Sequence, residues 1–347
     1  CPQRNERLGW TGDAQVFAPT ACFNVDAASF YTKWLKDLST DQEEDGSIGH
    51  VIPDVLNRGG ATGWADAGVV IPWVVYLDYG DVKVLENQYE SMKKWIGFMK
   101  EHAGDDYIWQ ENDHHYGDWL AFATTRSDYM GAYTTKDLIA TAYYSYSSSI
   151  VSKVAHILGH EKDAIYYKDL SEKVKEAFNQ EYVTPNGRLV AHTQTAYTLA
   201  LAFDMLDETT AAKSAQHLGR DVKQFGHITT GFLGTPLISL TLTENGMNDL
   251  AYMLLKRTAY PSWLYPVTMG ATTIWERWDG QKPDSTFQNP GMNSFNHYAY
   301  GAIGKWLYQV VAGIGIDESN PGYKHIIINP MPGGGLTSAK ATHKSMY

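Results

Sequence analysis

Amphipathic stretches that alternate with nearly all-apolar ones are the feature that most limits how this 347-residue chain can fold. Residues 26–38 place apolar side chains at i, i+3, i+4 spacing, which predicts a helix with one buried face. Residues 138–158 and 195–206 are apolar almost all round, as helices covered on both sides are. Short clusters rich in Gly, Asp, Asn and Pro separate such stretches and predict about ten to twelve helices.

Two concentric rings of helices would explain this alternation, because the inner ring is covered on its outer side while the outer ring faces water. We therefore predict an all-α fold, an (α/α)6 barrel, over residues 1–320. A helical solenoid is the main alternative, but the sequence has no self-similar period of roughly 30 to 50 residues.

A strand-like run begins only at residues 324–328, KHIII, and the glycine- and proline-rich stretch at 330–335 follows it. Residues 321–347 are thus predicted to be a linker and the beginning of a C-terminal β domain. Because the chain opens inside a dense polar motif and stops soon after this strand, we expect a piece of a longer protein with flanking β domains.

Charge and missing motifs exclude several classes of function. A net charge of −11 argues against a nucleic-acid partner, and no run of 18 apolar residues predicts membrane insertion. Phosphate-binding, dinucleotide-binding and serine-nucleophile motifs are absent. Cys1 and Cys22 have no metal-ligand spacing. His114–His115 are candidate zinc ligands, and His156–His160 have H-x-x-x-H spacing but lack the Glu of a zinc-protease motif. We predict neither a metal nor a cofactor.

Aromatic residues make up 13% of the chain, with 11 Trp and 23 Tyr, more than packing alone requires. Tyr and Trp combine an apolar face with a polar edge, which suits them to stack on sugar rings and bond hydroxyl groups. Carbohydrate binding is one interpretation; a tyrosine-rich helical core is the other.

The first candidate site is residues 1–13, CPQRNERLGWTGD. Glu6 and Asp13 lie seven residues apart, with Arg4 and Arg7 beside Glu6 and with Trp10 between the two acids. A solvated loop does not usually carry Trp, and a core does not carry these charges unless they pair. A polar site is the better interpretation, and a buried network of salt bridges is the alternative.

The second candidate site is residues 270–280, in which Glu276 lies between Trp275 and Trp278. A carboxylate against indole rings has a pKa that desolvation tunes, so it can act as an acid or a base. Taken alone, the segment could also be a helix end with a surface Glu and two core tryptophans.

Polar and aromatic clusters between and after these segments supply further candidates. They are Trp64 and Asp66 in one cluster, Asp118 and Trp119 in the next, and His297 in a late one. Each could equally be structural, since Asp commonly caps helices and turns.

Together these motifs resemble the catalytic domain of the bacterial α-L-rhamnosidases of glycoside hydrolase family 78. The likeness covers the chain from Cys1 to about Met331 and is most specific in the C-P-Q-R-x-E-R-x-G-W-x-G-D pattern and in the W-E-R-W-D-G core at 275–280. One departure is Asn5, where the family commonly has Asp.

The resemblance implies hydrolysis of terminal α-L-rhamnose from rhamnosides, glycosides or polysaccharides, by inversion. It assigns Glu6 as general acid and Glu276 as general base. The residues it places in or beside the sugar pocket are Arg4, Trp10, Asp13, Trp64, Asp66, Asp118, Trp119, Trp275 and His297.

Inversion needs one protonated carboxyl and one ionised carboxylate, roughly 6.5 to 9.5 Å apart. A closed barrel is the kind of fold that brings Glu6 and Glu276 together from distant parts of the chain. We expect burial against Trp10 to raise the pKa of Glu6 and Arg277 to keep Glu276 ionised. A glycosidase of different sugar specificity and a non-catalytic carbohydrate-binding protein on the same scaffold remain alternatives; the acidic composition argues against a polysaccharide lyase.

Overall fold

The computed structural model describes residues 6–109, 115–122, 134–291 and 294–347. Within these ranges the chain forms twelve α-helices, a few short 3-10 and π turns and one two-stranded sheet, so the predicted all-α class is confirmed. The helices are α1 (Thr11–Asn24), α2 (Ala28–Asp41), α3 (Ala67–Tyr79), α4 (Val82–Ala103), α5 (Lys136–Ile157), α6 (Glu161–Tyr182), α7 (Gln194–Ala202), α8 (Glu208–Phe225), α9 (Thr235–Glu244), α10 (Asn248–Lys256), α11 (Leu264–Thr268) and α12 (Ile303–Trp306).

The helices alternate between an inner and an outer ring, as the hydrophobic pattern predicts. The inner helices α1, α3, α5, α7 and α9 are mostly buried, and each packs against the next. The sixth inner position is filled by α12 with the turns Ala299–Ala302 and Leu307–Val311 at its two ends, and this segment packs against α1. Helices α2, α4, α6, α8 and α10 bury one face each. The (α/α)6 barrel is confirmed.

Local sequence explains where several helices start and stop. Asp81 and Asp207 cap α4 and α8 by accepting from the backbone N–H of Lys83 at 2.9 Å and of Thr210 at 3.1 Å. Gly80 ends α3 with a positive φ of 68°, a conformation that favours glycine.

Among the described residues, five outer helices pack around six inner helical segments. A broad groove runs along α1, and its lining includes Phe17, Phe30, Trp34 and Tyr298. Phe30 is 52% exposed there. Apolar side chains of α1 and α2 therefore lie open to solvent along this groove.

One end of the barrel collects the residues that precede or begin the inner helices. Asp13 lies in the first turn of α1, Trp64 precedes α3, Phe232 precedes α9 and His297 precedes the last inner segment, and all four line one pocket. Because helix N-termini carry partial positive charge, this end of the barrel favours carboxylates.

The C-terminal part contains the predicted strand. β1 (Ile314–Ile316) pairs antiparallel with β2 (Ile326–Ile328), with Ile314 opposite Ile328. The three isoleucines of β2 are 42 to 67% exposed.

Across the described ranges, none of the helices combines the length and the apolar character that crossing a membrane demands.

The inner ring closes where α1 meets α12. The hydroxyl of Thr20, which is 2% exposed, donates to the carbonyl of Ala302 at 3.1 Å and accepts from the backbone N–H of Lys305 at 3.0 Å. A Cβ added to Gly304 would lie 2.4 Å from Cγ2 of Thr20. The two helices therefore approach as closely as glycine allows.

The same substitution at two helical glycines is expected to have opposite effects. Gly304→Ala should lower the free energy of unfolding by about 1–3 kcal/mol, because the new methyl group overpacks the contact with Thr20. Gly97→Ala in α4 should raise it by up to about 1 kcal/mol, since nothing lies within 4 Å of the new Cβ and Ala is the better helix former. Urea denaturation measures both.

A compensating variant tests the cause. Thr20→Ser removes the methyl group but keeps the hydroxyl, so the pair Thr20→Ser and Gly304→Ala should recover most of the lost stability. Equal effects of the two glycine substitutions, or no recovery in the double variant, would contradict the close approach of α1 and α12.

Candidate active site

The segment before α1 is fixed by pairing with residues 50–52. The N–H of Ile52 donates to the carbonyl of Gly9, and the N–H of Thr11 donates to that of His50, each at 2.9 Å. A Cβ on Gly9 would lie 2.3 Å from the Ile52 carbonyl oxygen, so only glycine fits. This pairing places Trp10 at the mouth of the barrel.

Trp10 in turn holds Glu6. Its indole Nε1 donates to Oε2 of Glu6 at 2.5 Å, and the Glu6 side chain is exposed. The expected burial of Glu6 against Trp10 is therefore wrong: the indole contributes a hydrogen bond to an exposed carboxyl group.

Three buried ionisable groups lie deeper in the pocket. Nε2 of His297 lies 2.6 Å from Oδ1 of Asp13, and its Nδ1 lies 3.8 Å from Oε2 of Glu276. All three side chains are 4% exposed or less. The imidazole thus lies between two carboxylates that come from opposite ends of the chain.

Main-chain pairing sets the distance between Glu276 and His297. The N–H of Glu276 donates to the carbonyl of Ser294, and the N–H of His297 donates to that of Ile274, both at 2.9 Å. The two segments therefore run side by side, and the separation of the two side chains depends on the backbone as well as on rotamers.

Aromatic rings form the wall of the pocket. The ring of Tyr116 lies 4.6 Å from that of Trp64 and meets Trp10 edge-on at 5.7 Å and Trp119 edge-on at 6.0 Å. The Tyr116 hydroxyl bonds Nδ1 of His50 at 2.8 Å. Tyr116 is thus the ring on which the other three pack.

Carboxylates and aromatic rings line one open pocket. The residues that line it are Glu6, Trp10, Asp13, Trp64, Tyr116, Trp119, Phe232, Glu276 and His297. The structure therefore brings together seven of the predicted site residues: Glu6, Trp10, Asp13, Trp64, Trp119, Glu276 and His297.

Burial raises the pKa of Glu276, and the charges of Glu6 and Asp13 act in the same direction. Positive charge on His297 and a hydrogen bond from Trp119 oppose this rise. The expected cation, Arg277, points elsewhere: its Nε lies 3.5 Å from Oδ1 of Asp279. The imidazole that faces Glu276 is that of His297.

Asp66 lies outside the pocket and supports it from behind. It is fully buried, and its oxygens accept from the Gly63 N–H at 2.7 Å, from Trp95 Nε1 at 3.0 Å and from the Ser147 hydroxyl at 2.6 Å. These contacts hold the turn that carries Trp64.

Asp118 has a similar position next to Trp119. Its carboxylate, also fully buried, accepts from the backbone N–H groups of Gly231 at 2.7 Å, Leu233 at 2.8 Å and Gly234 at 3.1 Å, and from the hydroxyl of Thr195. Four protein donors thus face this carboxylate, and they tie the loop of Trp119 to the N-terminus of α9.

Of the two remaining predicted site residues, Trp275 is not among the described residues that line the pocket. Trp275 is 6% exposed and packs edge-on against Phe295 at 5.0 Å, so it supports the Glu276 segment from outside the pocket. Arg4 lies outside the described residues, as does the departure at Asn5.

Two pocket residues were not predicted. Tyr116 lies in the cluster at 115–119 that drew attention to Trp119, so its neighbours were a signal for it. Phe232 stands among small and apolar residues before α9 and gives no such signal. His115, a candidate zinc ligand, bonds the Lys136 carbonyl at 2.7 Å and the Gly117 N–H at 2.9 Å.

Comparison with known proteins gives a consistent family. Residues 1–311 match the bacterial alpha-L-rhamnosidase 6 hairpin glycosidase domain, and residues 315–347 match the bacterial alpha-L-rhamnosidase C-terminal domain. The predicted division at residue 320 stays a prediction.

Relatives and solved structures agree with this match. An alpha-L-rhamnosidase of Streptomyces avermitilis is 43% identical over 100% of this chain and 32% of its own length, and one of Formosa agariphila is 43% identical over 100% and 37%. The crystal structure of the Streptomyces avermitilis enzyme complexed with L-rhamnose superposes with a TM-score of 0.91 at 42% identity, covering 99% of this chain and 32% of that one. The chain thus spans about a third of the length of the relatives it matches.

Replacing the buried Asp118 tests its structural role. Asp118→Asn turns one accepting oxygen into an amide that faces N–H donors, so the free energy of unfolding should fall by about 3 kcal/mol. Thermal or urea unfolding measures this, with Asp106→Asn in an exposed turn as the matched control, for which we expect a change within about 0.5 kcal/mol. Unchanged stability combined with weaker sugar binding would indicate instead that Asp118 contacts the ligand.

Proposed function

Since the chain belongs to the bacterial alpha-L-rhamnosidase six-hairpin glycosidase family, we propose that it hydrolyses terminal α-L-rhamnose from rhamnosides by inversion. Glu6 acts as the general acid and Glu276 as the general base. The observation that carries the proposal is that these two carboxyl groups, from opposite ends of the chain, line one pocket with an aromatic wall.

The aromatic wall suits a deoxy sugar. Rhamnose carries a methyl group where most hexoses carry a hydroxymethyl group, so one edge of the sugar is apolar and packs against rings such as Trp64, Tyr116 and Phe232. The hydroxyl groups on the opposite edge need charged or polar partners, and Asp13 and His297 are the nearest candidates. Asp66, Asp118 and Trp275 support this arrangement from behind.

The base assignment rests on what surrounds Glu276. A general base must be ionised, and both the cation of His297 and the hydrogen bond from Trp119 favour the carboxylate form. The acid, Glu6, must hold a proton. Its hydrogen bond from Trp10 occupies Oε2, which leaves Oε1 to carry that proton towards the leaving oxygen.

One observation favours the reverse assignment. Burial raises the pKa of Glu276 while Glu6 is exposed, which in isolation suits Glu276 as the acid. The assignment therefore needs a test that separates the two roles.

The dependence of kcat/KM on the leaving group separates the roles of acid and base. A good leaving group needs no proton, so Glu6→Gln should lower kcat/KM about 10²- to 10⁴-fold on an alkyl α-L-rhamnoside but only slightly on a nitrophenyl one. Glu276→Gln should lower it by a similar factor on both substrates, because both need an activated water. Glu172→Gln on the exposed face of α6 serves as the control and should leave both rates unchanged.

Other outcomes separate the alternatives. The opposite pattern would exchange the two roles. Full activity in both site variants would refute the mechanism. Cleavage of other aryl glycosides in place of rhamnosides would indicate a glycosidase of different sugar specificity. No cleavage of any aryl glycoside tested would favour a carbohydrate-binding protein.

The relatives named above are about three times as long as this chain. We therefore include flanking domains of a longer protein in the proposal, as partners of the barrel. The natural substrate, a rhamnose-containing glycoside or polysaccharide, would then contact more than this pocket.

A further inference from the structure

His297 occupies an unusual electrostatic position. Its two ring nitrogens point towards two different carboxylates, Asp13 at 2.6 Å and Glu276 at 3.8 Å, and all three groups are buried. Among the described residues, the ion pairs of Glu276 include His297 and neither a lysine nor an arginine.

The protonation state of the ring follows from this geometry. A neutral imidazole has one N–H, and if Nε2 donates it to Asp13, the lone pair of Nδ1 faces the Glu276 carboxylate. An imidazolium instead presents an N–H and positive charge to both sides. Burial by itself would lower the pKa of His297, but the charge and hydrogen bond of Asp13, with the charges of Glu276 and Glu6, outweigh burial and raise it.

The ring is held firmly in this position. Backbone pairing of residues 274–276 with 294–297 fixes its Cα relative to Glu276, and its ring packs on Phe232 at 5.5 Å. The first turn of α1 fixes Asp13 on the other side. A charge on the ring therefore acts on Glu276 at a constant distance.

We propose that His297 is a positioning residue that carries a permanent positive charge in the resting site, and that this charge keeps Glu276 ionised as the base. Its effect on catalysis rests on the proposed function, but the charge on His297 does not. Asp13 acts through the ring, since it holds the proton on Nε2.

Other groups around the pair were considered for the same role. Glu6 and Asp13 are acidic and oppose ionisation of Glu276, whereas Trp119 donates a neutral hydrogen bond. The phenol of Tyr300, whose pKa burial raises well above its usual range, stays neutral. His297 is thus the cation facing Glu276 among the described residues.

The consequence is a pH dependence with a defined sign. The acid side of the kcat/KM profile reports protonation of the base, and a nearby positive charge holds that midpoint at lower pH. His297→Gln keeps an N–H donor for Asp13 but removes the charge. Its acid limb should therefore move to higher pH, and kcat/KM on that limb should fall about tenfold or more beyond its fall on the plateau.

His156→Gln is the matched control, because His156 is an exposed histidine at the end of α5 that pairs with Glu161. It should leave both the plateau and the limb in place. If His297→Gln lowers kcat/KM equally at every pH, its role is contact or packing alone, and the proposal is wrong.

A direct reading of the ring charge needs no activity. In the full chain with ¹⁵N-labelled histidine, the His297 signals are identified by their loss in His297→Gln, and they should show both ring nitrogens protonated at pH 7. Glu276→Gln removes the facing carboxylate and should make the ring lose its proton at lower pH. A neutral His297 at pH 7, or a titration unaffected by Glu276→Gln, would overturn the proposal. A charged ring in a protein that cleaves no rhamnoside would instead refute the proposed function alone.

Discussion

The site depends on closure of the helical ring at the contact between α1 and α12. Thr20 bonds the backbone of Ala302 and Lys305, and Gly304 lets the two helices meet. Sequence separation across this contact exceeds 280 residues, and Asp13 on α1 meets His297, which precedes α12, across the same closure. The same contact that closes the fold therefore also brings the pocket residues together, and a defect there should affect both stability and the proposed activity.

The electrostatics of the pocket follow from its place in that ring. Carboxylates gather at the N-terminal ends of inner helices, where partial positive charge helps to hold them. Burial raises the pKa of Glu276, and His297 lies between this carboxyl group and that of Asp13. Asp66 and Asp118 show the other solution, in which backbone and side-chain donors surround each buried carboxylate and bind pocket loops to the core.

Much of the fold could be predicted because the burial of helix faces sets the spacing of apolar residues in the sequence. The nearly all-apolar stretch at 138–158 became the inner helix α5, and the striped one at 26–38 became the outer helix α2. The residues of the site were harder to predict from the sequence than the helices. Trp10, Trp64 and Trp119 were predicted from the charged clusters beside them. Phe232 has no charged neighbours in sequence and is brought to the pocket by the turn before α9, whose backbone bonds Trp119 and Asp118. Asp66 and Asp13 look alike in sequence. Only tertiary contacts decide that protein donors surround Asp66 whereas Asp13 lines the pocket.

In the proposed mechanism, Glu6 and Glu276 act as an acid and a base on opposite faces of one sugar. The most direct test incubates the longest native form of the protein with an aryl α-L-rhamnoside and records the anomeric proton of the released sugar by NMR before mutarotation. An inverting mechanism predicts β-L-rhamnose as the first product. Release of α-L-rhamnose first would show retention and would contradict the pairing of these two carboxyl groups as acid and base.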